Sequence, residues 1–184
     1  RFTFEKFSET EEKLGTTMKS IGECMAIGRN FKESFQKAVR SLEIGLDGLN
    51  SNKNLKDKKK EQLKTLLEKN LPNKFLIIAE ALRKGIDINT VIKKSKYDYW
   101  FIREIDEIVK LENTLKKKFN LNIYKKCKAN GFSDHRILEL SKTSPTKLKD
   151  LRIKYNLHAK FKNIDTCSGE FKSFTPYMYS SWES

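Results

Sequence analysis

The chain has 184 residues, of which 38% are hydrophobic and 34% are charged, and its formal net charge is +14. This length allows one domain or two small ones, and no apolar run reaches the roughly 18–20 residues that a membrane-spanning helix needs. The chain is therefore expected not to cross a membrane, and its first residues, "RFTFEKF", are not expected to be a secretory signal because they lack an apolar core.

The first 29 residues are predicted to be extended. "RFTFEKF" alternates aromatic with polar residues, and glycines punctuate the apolar stretch "MKSIGECMAIG". A helical period begins at Asn30, which is a suitable N-cap, with Glu33 as its capping-box partner three residues later. The glycine- and asparagine-rich stretch "GLDGLNSNKN" is predicted to be a loop that separates this first part from the rest.

The middle of the chain predicts a series of helices. They cover residues 57–69, 74–84 with Asn73 as cap, 87–94, a long helix from Asp98, 121–129, 134–141 and 145–155. The long helix has a predicted buried stripe of Phe101, Ile105, Ile108, Leu111 and Leu115. Its acidic residues Glu104, Asp106, Glu107 and Glu112 stand beside lysines and are interpreted as a solvated ion-pair face.

The C-terminal tail after Asn156 is predicted to be extended, because it shows no helical period. Its aromatic residues are therefore not expected to be buried locally, and the tail is predicted to expose an apolar surface that seeks a partner. These residues are Phe171, Phe174, Tyr177, Tyr179 and Trp182.

The helical part contains an internal repeat with an offset of 46 residues. "ALRKGIDINTVIKKSKYDYWFIREI" aligns with "CKANGFSDHRILELSKTSPTKLKDL", so that Gly85 falls on Gly131 and Ser95 on Ser141. Each copy reads as helix, glycine, short helix, turn and helix, and such a unit cannot bury its apolar face alone. Two copies that share one core are therefore predicted, with both glycines in left-handed geometry at helix ends.

Polar residues that could form an active site are few. Lys19, Glu23 and Arg29 lie among glycines, but the spacing matches neither dinucleotide-binding nor phosphate-binding loops. The cysteines Cys24, Cys127 and Cys167 and the two histidines are too far apart in sequence to suggest a metal site. A reduced, cytoplasmic protein without an active site of its own is the simplest interpretation.

The basic charge leaves one alternative open. The 38 Lys and Arg residues against 24 Asp and Glu residues are typical of proteins that bind nucleic acid. Most of the basic residues are Lys, whereas specific phosphate and base contacts favour Arg, so a solvated surface is the preferred interpretation. Because each repeat copy also has the shape of a helix-turn-helix, a basic nucleic-acid-binding module is the alternative.

Six stretches of the sequence carry a family resemblance. They are "RFTFEKF", "TTMKSIGECMAIGR", "FKESFQKAVRSLEIGLDG", "GFSD", "LRIKYNLHAKFKNIDTCSGEF" and "YMYSS". Together, and in this order from Arg1 to about Trp182, they resemble the middle of the carbamoyl phosphate synthase large chain. The combination of MKS-x-GE-x-MAIGR, DTC-x-x-EF and YMYS is the most specific part of this resemblance.

The resemblance implies a mainly α, multihelical domain of two related helical subdomains, with a short extended or β segment at the N-terminus and an extended C-terminal tail. Residues 1–42 would be the trailing end of the first ATP-grasp domain, which forms carboxyphosphate. Residues 43–184 would be the helical oligomerisation domain and the lead-in to the second ATP-grasp half. The whole enzyme would be a cytoplasmic ligase of arginine and pyrimidine biosynthesis that uses bicarbonate, glutamine-derived ammonia and two ATP.

The resemblance also implies what this segment binds. It places no catalytic, cofactor-binding or metal-binding residue here, so the segment alone would be non-catalytic, and ATP, Mg²⁺ or Mn²⁺, and K⁺ would bind elsewhere in the parent enzyme. Met18, Ile21 and Glu23 match positions that face the tunnel for carbamate; the alternative is that Met18 and Ile21 are core and Glu23 pairs with a basic residue. The implied partners are a glutaminase small subunit or domain, the two ATP-grasp halves and further copies of the chain, with neither membrane nor nucleic acid.

Overall fold

The computed structural model describes residues 11–183, apart from the side chain of Lys53. Within these residues the chain forms nine helices and two short strands. The helices are α1 (Phe31–Ser41), α2 (Lys53–Lys56), α3 (Lys60–Leu67), α4 (Lys74–Arg83), α5 (Ile88–Ser95), α6 (Tyr99–Lys117), α7 (Leu121–Ala129), α8 (Asp134–Ser141) and α9 (Pro145–Lys154), and the strands are β1 (Lys160–Asn163) and β2 (Met178–Ser181). The predicted mainly α fold is confirmed, and "RFTFEKF" lies outside the described residues.

Local capping signals set most helix boundaries, and α7 and α8 begin and end where the sequence predicts. The predicted helix 57–69 is shorter and corresponds to α3, which has Lys59 as N-cap and Glu68 as C-cap. Asn52 caps a separate one-turn helix, α2, which precedes it. Asn73 does stand before α4, but its prediction as a side-chain cap is wrong. Its backbone, with φ −96° and ψ 22°, is not in the extended conformation of an N-cap, and its side chain makes no capping hydrogen bond.

The start of α1 is held by two side chains. Asn30 Oδ1 accepts a hydrogen bond from the Glu33 amide at 2.9 Å, as predicted. The carboxylate of Glu33 does not complete a capping box; it accepts from the Arg29 amide at 2.7 Å and from the Ser181 hydroxyl at 3.2 Å. Because Glu33 is buried, these bonds fix residue 29 and the end of β2 against the first turn of α1.

The internal repeat is confirmed, with α4–α5–α6 as one copy and α7–α8–α9 as the other. The second helix of each copy is capped by the side chain of Asp87 or Ser133, and the third by Asp98 or Ser144. Each member of these pairs lies 46 residues from its counterpart. The repeat therefore extends to the hydrogen bonds that begin each helix.

The glycines of the repeat also have the predicted geometry. Gly85 and Gly131 have φ of 71° and 83°, and Lys96 and Lys142, which end α5 and α8, have φ of 62° and 56°. In both copies the amide after the glycine donates at 3.0 Å to the carbonyl five residues before it, as in a Schellman motif. This motif turns the chain sharply from the first helix of each copy into the second.

One hydrophobic core runs through both copies, as predicted. The long helix α6 lies at its centre and packs against α4, α5 and α8. The predicted stripe is confirmed for the residues that are buried: Ile105, Ile108, Leu111 and Leu115. It is wrong for Phe101, which is 44% exposed because the neighbouring Ile102 occupies the core position instead.

The C-terminal tail folds back as a two-stranded antiparallel sheet, with Lys160 of β1 opposite Ser181 of β2. This pairing returns the chain to α7, where the Trp182 ring lies 4.6 Å from the Lys128 ammonium and 6.2 Å from the Tyr124 ring. The predicted exposure of the tail is confirmed for three of its aromatic residues but is wrong for Tyr179, which is half-buried, and for Trp182, which the sheet brings against the helices. The three exposed residues are Phe171, Phe174 and Tyr177.

Candidate functional site

The segment 11–30 carries the three residues that resemble tunnel positions. It forms no helix and is held to the helices by hydrogen bonds: the Leu14 amide donates to the Asn70 carbonyl at 2.8 Å, and Lys37 Nζ donates to the Ile27 carbonyl at 2.9 Å. Between these anchors the side chains of Met18, Ile21 and Glu23 are exposed, with Met18 at 82%. Met18 and Ile21 are thus apolar residues outside the core.

Two of the polar residues that the sequence singles out in this segment, Lys19 and Arg29, have separate partners. Lys19 Nζ donates to the carbonyls of Glu11 and Lys13 at 2.9 and 2.7 Å. Arg29 pairs with Glu183 at 2.9 Å and donates to the Tyr179 hydroxyl at 3.3 Å. The hydrogen bond from Arg29 to Tyr179 and the charge of Glu183 raise the pKa of Arg29.

A salt bridge joins α1 to the middle of α6. Lys32 Nζ lies 3.0 Å from a carboxylate oxygen of Glu104 and 2.7 Å from one of Glu107. Partial burial lowers the pKa of Lys32, but its bonds to the two carboxylates outweigh this and raise the pKa overall. Glu104 is buried, so its interpretation as part of a solvated face is wrong; Glu107 does lie at the surface.

A buried ion cluster lies between the two copies of the repeat. Its centre is Glu112 of α6, which is 1% exposed. Glu112 accepts from Arg83 of α4 at 2.8 and 3.1 Å and from Arg136 of α8 at 2.6 Å. The interpretation of Glu112 as a solvated residue is therefore wrong. Burial alone would raise the pKa of Glu112, but the charges and hydrogen bonds of the two arginines outweigh it and lower the pKa.

The cluster extends to the loop after α1. Arg83 also pairs with Glu80 at 3.3 Å and donates to the Leu49 carbonyl, and Glu80 accepts from the Ser51 hydroxyl at 2.6 Å. One arginine thus joins α4, α6 and the loop that precedes α2. A buried charge of this kind needs several partners, because each unpaired ion would carry a large desolvation cost.

Aromatic side chains form an exposed surface where α1 meets the start of α6. This surface, called the aromatic face below, consists of the exposed rings of Tyr97, Trp100 and Phe101 and the half-buried rings of Phe31, Phe35 and Phe75. The Phe31 ring is central, with its centroid 5.1–5.4 Å from the rings of Phe35, Trp100 and Phe101. Trp100 and Phe101 are 43% and 44% exposed, and Phe101 lines an apolar groove of about 400 Å³ together with Phe31, Phe35, Phe75 and Tyr97.

Neither a metal site nor a membrane span is found in the part of the chain that the structure describes. Within residues 11–183, no group of three or more His, Cys, Asp or Glu residues is placed to hold a metal ion. No helix among these residues is long and apolar enough to cross a bilayer. The described residues therefore do not offer the ligand set that the metal of the parent enzyme would need.

Comparison with known families decides between the alternatives. Residues 23–156 match the family model described as carbamoyl-phosphate synthetase large chain, oligomerisation domain. The chain belongs to the carbamoyl phosphate synthase large-chain family. This confirms the resemblance seen in the sequence, and nothing in the comparisons supports the nucleic-acid alternative.

Relatives named as carbamoyl phosphate synthase large chains are similar to the whole of this chain. Those of Haemophilus ducreyi and of Buchnera aphidicola are each 41% identical to it over its full length, which corresponds to 17% of each relative. The large chain, N-terminal section, of Aquifex aeolicus is 42% identical over the full chain, which corresponds to 33% of that relative. The chain thus spans about a sixth of the length of the full-length large chains.

Two features escaped the sequence argument, although one of them left a signal. Glu112 lies four residues after Ile108 and three before Leu115, so its position belongs to the buried face of α6. The charge of Glu112 favours a solvated side chain, whereas its position in the helix indicates a buried one. The aromatic face gave no such signal, because its rings come from three separate helices and the loop before α6.

Proposed function

We propose that this chain is the part of a carbamoyl phosphate synthase large chain that links its two synthetase halves and supports oligomerisation. Residues 1–42 would end the first ATP-grasp domain and residues 43–184 would form the helical linking domain. The parent enzyme would be a cytoplasmic ligase that uses ATP, Mg²⁺ or Mn²⁺, and K⁺, with a glutaminase partner as the source of ammonia. The family match over residues 23–156 is the observation that carries this proposal.

The segment alone is proposed to be non-catalytic, and its contribution to the chemistry is a wall of the carbamate tunnel. Met18 and Ile21 are apolar yet exposed on a segment whose backbone is anchored to the helices. Such residues are suited to line a passage that other parts of the large chain complete. Apolar walls that keep water away would protect a labile intermediate in transit.

A charged residue at Met18 should uncouple the two halves of the enzyme. In a large chain that contains this segment, Met18→Arg is expected to leave bicarbonate-dependent ATP hydrolysis intact while carbamoyl phosphate synthesis falls, because carbamate is lost before the second site. The measurement is the amount of ATP consumed per carbamoyl phosphate formed. Met25→Arg is the matched control, since Met25 is 83% exposed on the same segment but is not assigned to the tunnel. An equal effect of both variants would contradict the assignment of Met18.

The 184-residue chain is also expected to self-associate, and more strongly at high salt. Phe171, Phe174 and Tyr177 expose apolar surface, whereas the net charge of +14 makes two copies repel each other. Salt screens that repulsion over about 8–10 Å near physiological ionic strength. Size exclusion with light scattering should show a higher mass at high salt than at low salt. This rise in mass should be smaller for the double variant Phe171→Ser, Phe174→Ser than for the control Ile153→Ser. A monomer at every salt concentration would contradict self-association.

A further inference from the structure

On the aromatic face, the rings of Tyr97, Trp100 and Phe101 are exposed to solvent and not covered by the helices beneath them. Phe31 packs edge-on against Trp100 and Phe101, and these two rings pack against each other at 5.0 Å. The cluster is therefore ordered by its own contacts, yet its outer side remains open to solvent. A contiguous and preordered apolar patch of this kind is typical of a surface that another protein part covers.

We propose that the aromatic face is the docking surface for the rest of the large chain's N-terminal section. This rests on the proposed function, because it takes the chain to be part of such a large chain. In the Aquifex relative, the region similar to this chain makes up 33% of a polypeptide named the N-terminal section. About two thirds of that section is therefore polypeptide outside the similar region and available to cover the face.

The path of the segment 11–30 supports this occupant. Leu14 is bonded to Asn70, five residues before Phe75, and the Cys24 thiol lies 3.4 Å from the carbonyl of Ala38 in α1. The segment is thus anchored to α1, which carries Phe31 and Phe35, and to the loop just before α4; Phe75 lies in α4.

A second copy of this chain is the weaker occupant. Each copy carries a net charge of +14, although the groove beside the face is lined by one basic and one acidic residue, Lys96 and Asp98. Two copies therefore repel each other through their overall charge rather than through the groove itself. A covering partner within the same polypeptide also loses less entropy on docking than a separate molecule does.

Hydroxyl-radical footprinting with mass spectrometry tests this residue by residue. The labelling of Tyr97, Trp100 and Phe101 would be compared between the 184-residue chain and a full large chain that contains it, the latter diluted until light scattering shows a monomer. In the 184-residue chain the three residues should label readily. In the monomeric large chain their labelling should fall to that of Tyr124, which is buried in both.

Variants identify the face as the cause of the protection. In the large chain, Trp100→Ala with Phe101→Ala should restore the labelling of Tyr97, whereas the control Phe171→Ala with Phe174→Ala should not. Continued protection of Tyr124 shows that the variant segment is still folded. Protection that appears only in oligomers would identify a second copy of the chain as the occupant. Labelling that stays high in every state would show that nothing covers the face. Either result overturns the proposal. Footprinting does not depend on catalysis, so a large chain that fails to make carbamoyl phosphate would contradict the proposed function and leave this test valid.

Discussion

Replacing Glu112 with Gln is expected to lower the free energy of unfolding by about 3–5 kcal/mol, the usual cost of breaking a buried ion pair from one side. The substitution keeps the shape of the side chain but removes its charge. Arg83 and Arg136, whose side chains are 9% and 7% exposed, would then face each other across a neutral amide. Urea denaturation followed by circular dichroism measures the loss directly.

The matched control is Glu107→Gln, on the same helix and with the same change in chemistry. Glu107 pairs with Lys32 at 2.7 Å, but its side chain is 47% exposed. Solvent screens such a pair, so the expected loss is below about 1 kcal/mol. Equal losses for the two variants would show that the Glu112 cluster contributes no more than a surface salt bridge.

The same cluster predicts the direction of a pH effect. The two arginines lower the pKa of Glu112 below its ordinary value of 4.5 in the folded chain. The stability that it contributes is therefore fully present above about pH 4.5 and is lost as the pH falls through the lower folded pKa. The free energy of unfolding should fall less steeply with acid in Glu112→Gln than in the parent chain.

The helices could be predicted from the sequence because their signals are local. Asn30, Asp98 and Ser144 each accept a hydrogen bond from an amide two or three residues away, so the capping partner lies within the same short stretch. The sequence signals of the two repeat glycines are also local, because the left-handed turn that each one makes depends on the helix just before it.

The ion cluster could not be predicted in the same way, because its partners are distant in sequence. Arg83 and Arg136 lie 29 and 24 residues from Glu112, and nothing near Glu112 in the chain indicates them. The position of Glu112 on the buried face predicts only that some partner must exist, since an unpaired buried carboxylate is too costly. Trp182 is a similar case, because it is covered only after β1 and β2 have paired.

The residues that resemble tunnel positions illustrate a different limit. Met18 and Ile21 have no helical or strand period, and in the structure they lie on an exposed segment. Their assignment came from the resemblance alone and stays a prediction. Residues whose contacts lie in other parts of a longer polypeptide cannot be placed by the physics of this segment.

The two repeat glycines, although equivalent in sequence and backbone, are expected to differ in their tolerance of a side chain. Gly85→Ala should cost about 1–2 kcal/mol, the penalty for an L-residue in left-handed geometry. A Cβ at Gly85 would meet nothing closer than the flexible end of Lys60 at 4.0 Å. At Gly131 a Cβ would lie 2.8 Å from the Cα of Glu33 and 2.9 Å from its carbonyl oxygen.

Gly131→Ala should therefore carry a steric cost in addition to the conformational one. Overpacking of this kind adds about 1–3 kcal/mol, which brings the expected total to about 2–5 kcal/mol. The clash is with the backbone of α1, which a change of side-chain rotamer cannot relieve. Since Glu33 also holds Arg29 and Ser181, strain at Gly131 should spread to the N-terminal segment and to β2.

Asparagine separates the two costs, because it adopts left-handed geometry more readily than alanine does. Gly85→Asn should be less destabilising than Gly85→Ala, since only the conformational cost operates there. Gly131→Asn should be relieved of the same conformational cost but keep the steric one, so it should stay about 1–3 kcal/mol more destabilising than Gly85→Asn. The four variants would be compared by urea denaturation. If the two Asn variants are equally destabilising, the close approach of α1 to Gly131 is absent in solution, and the two copies of the repeat are equivalent in energy as well as in sequence.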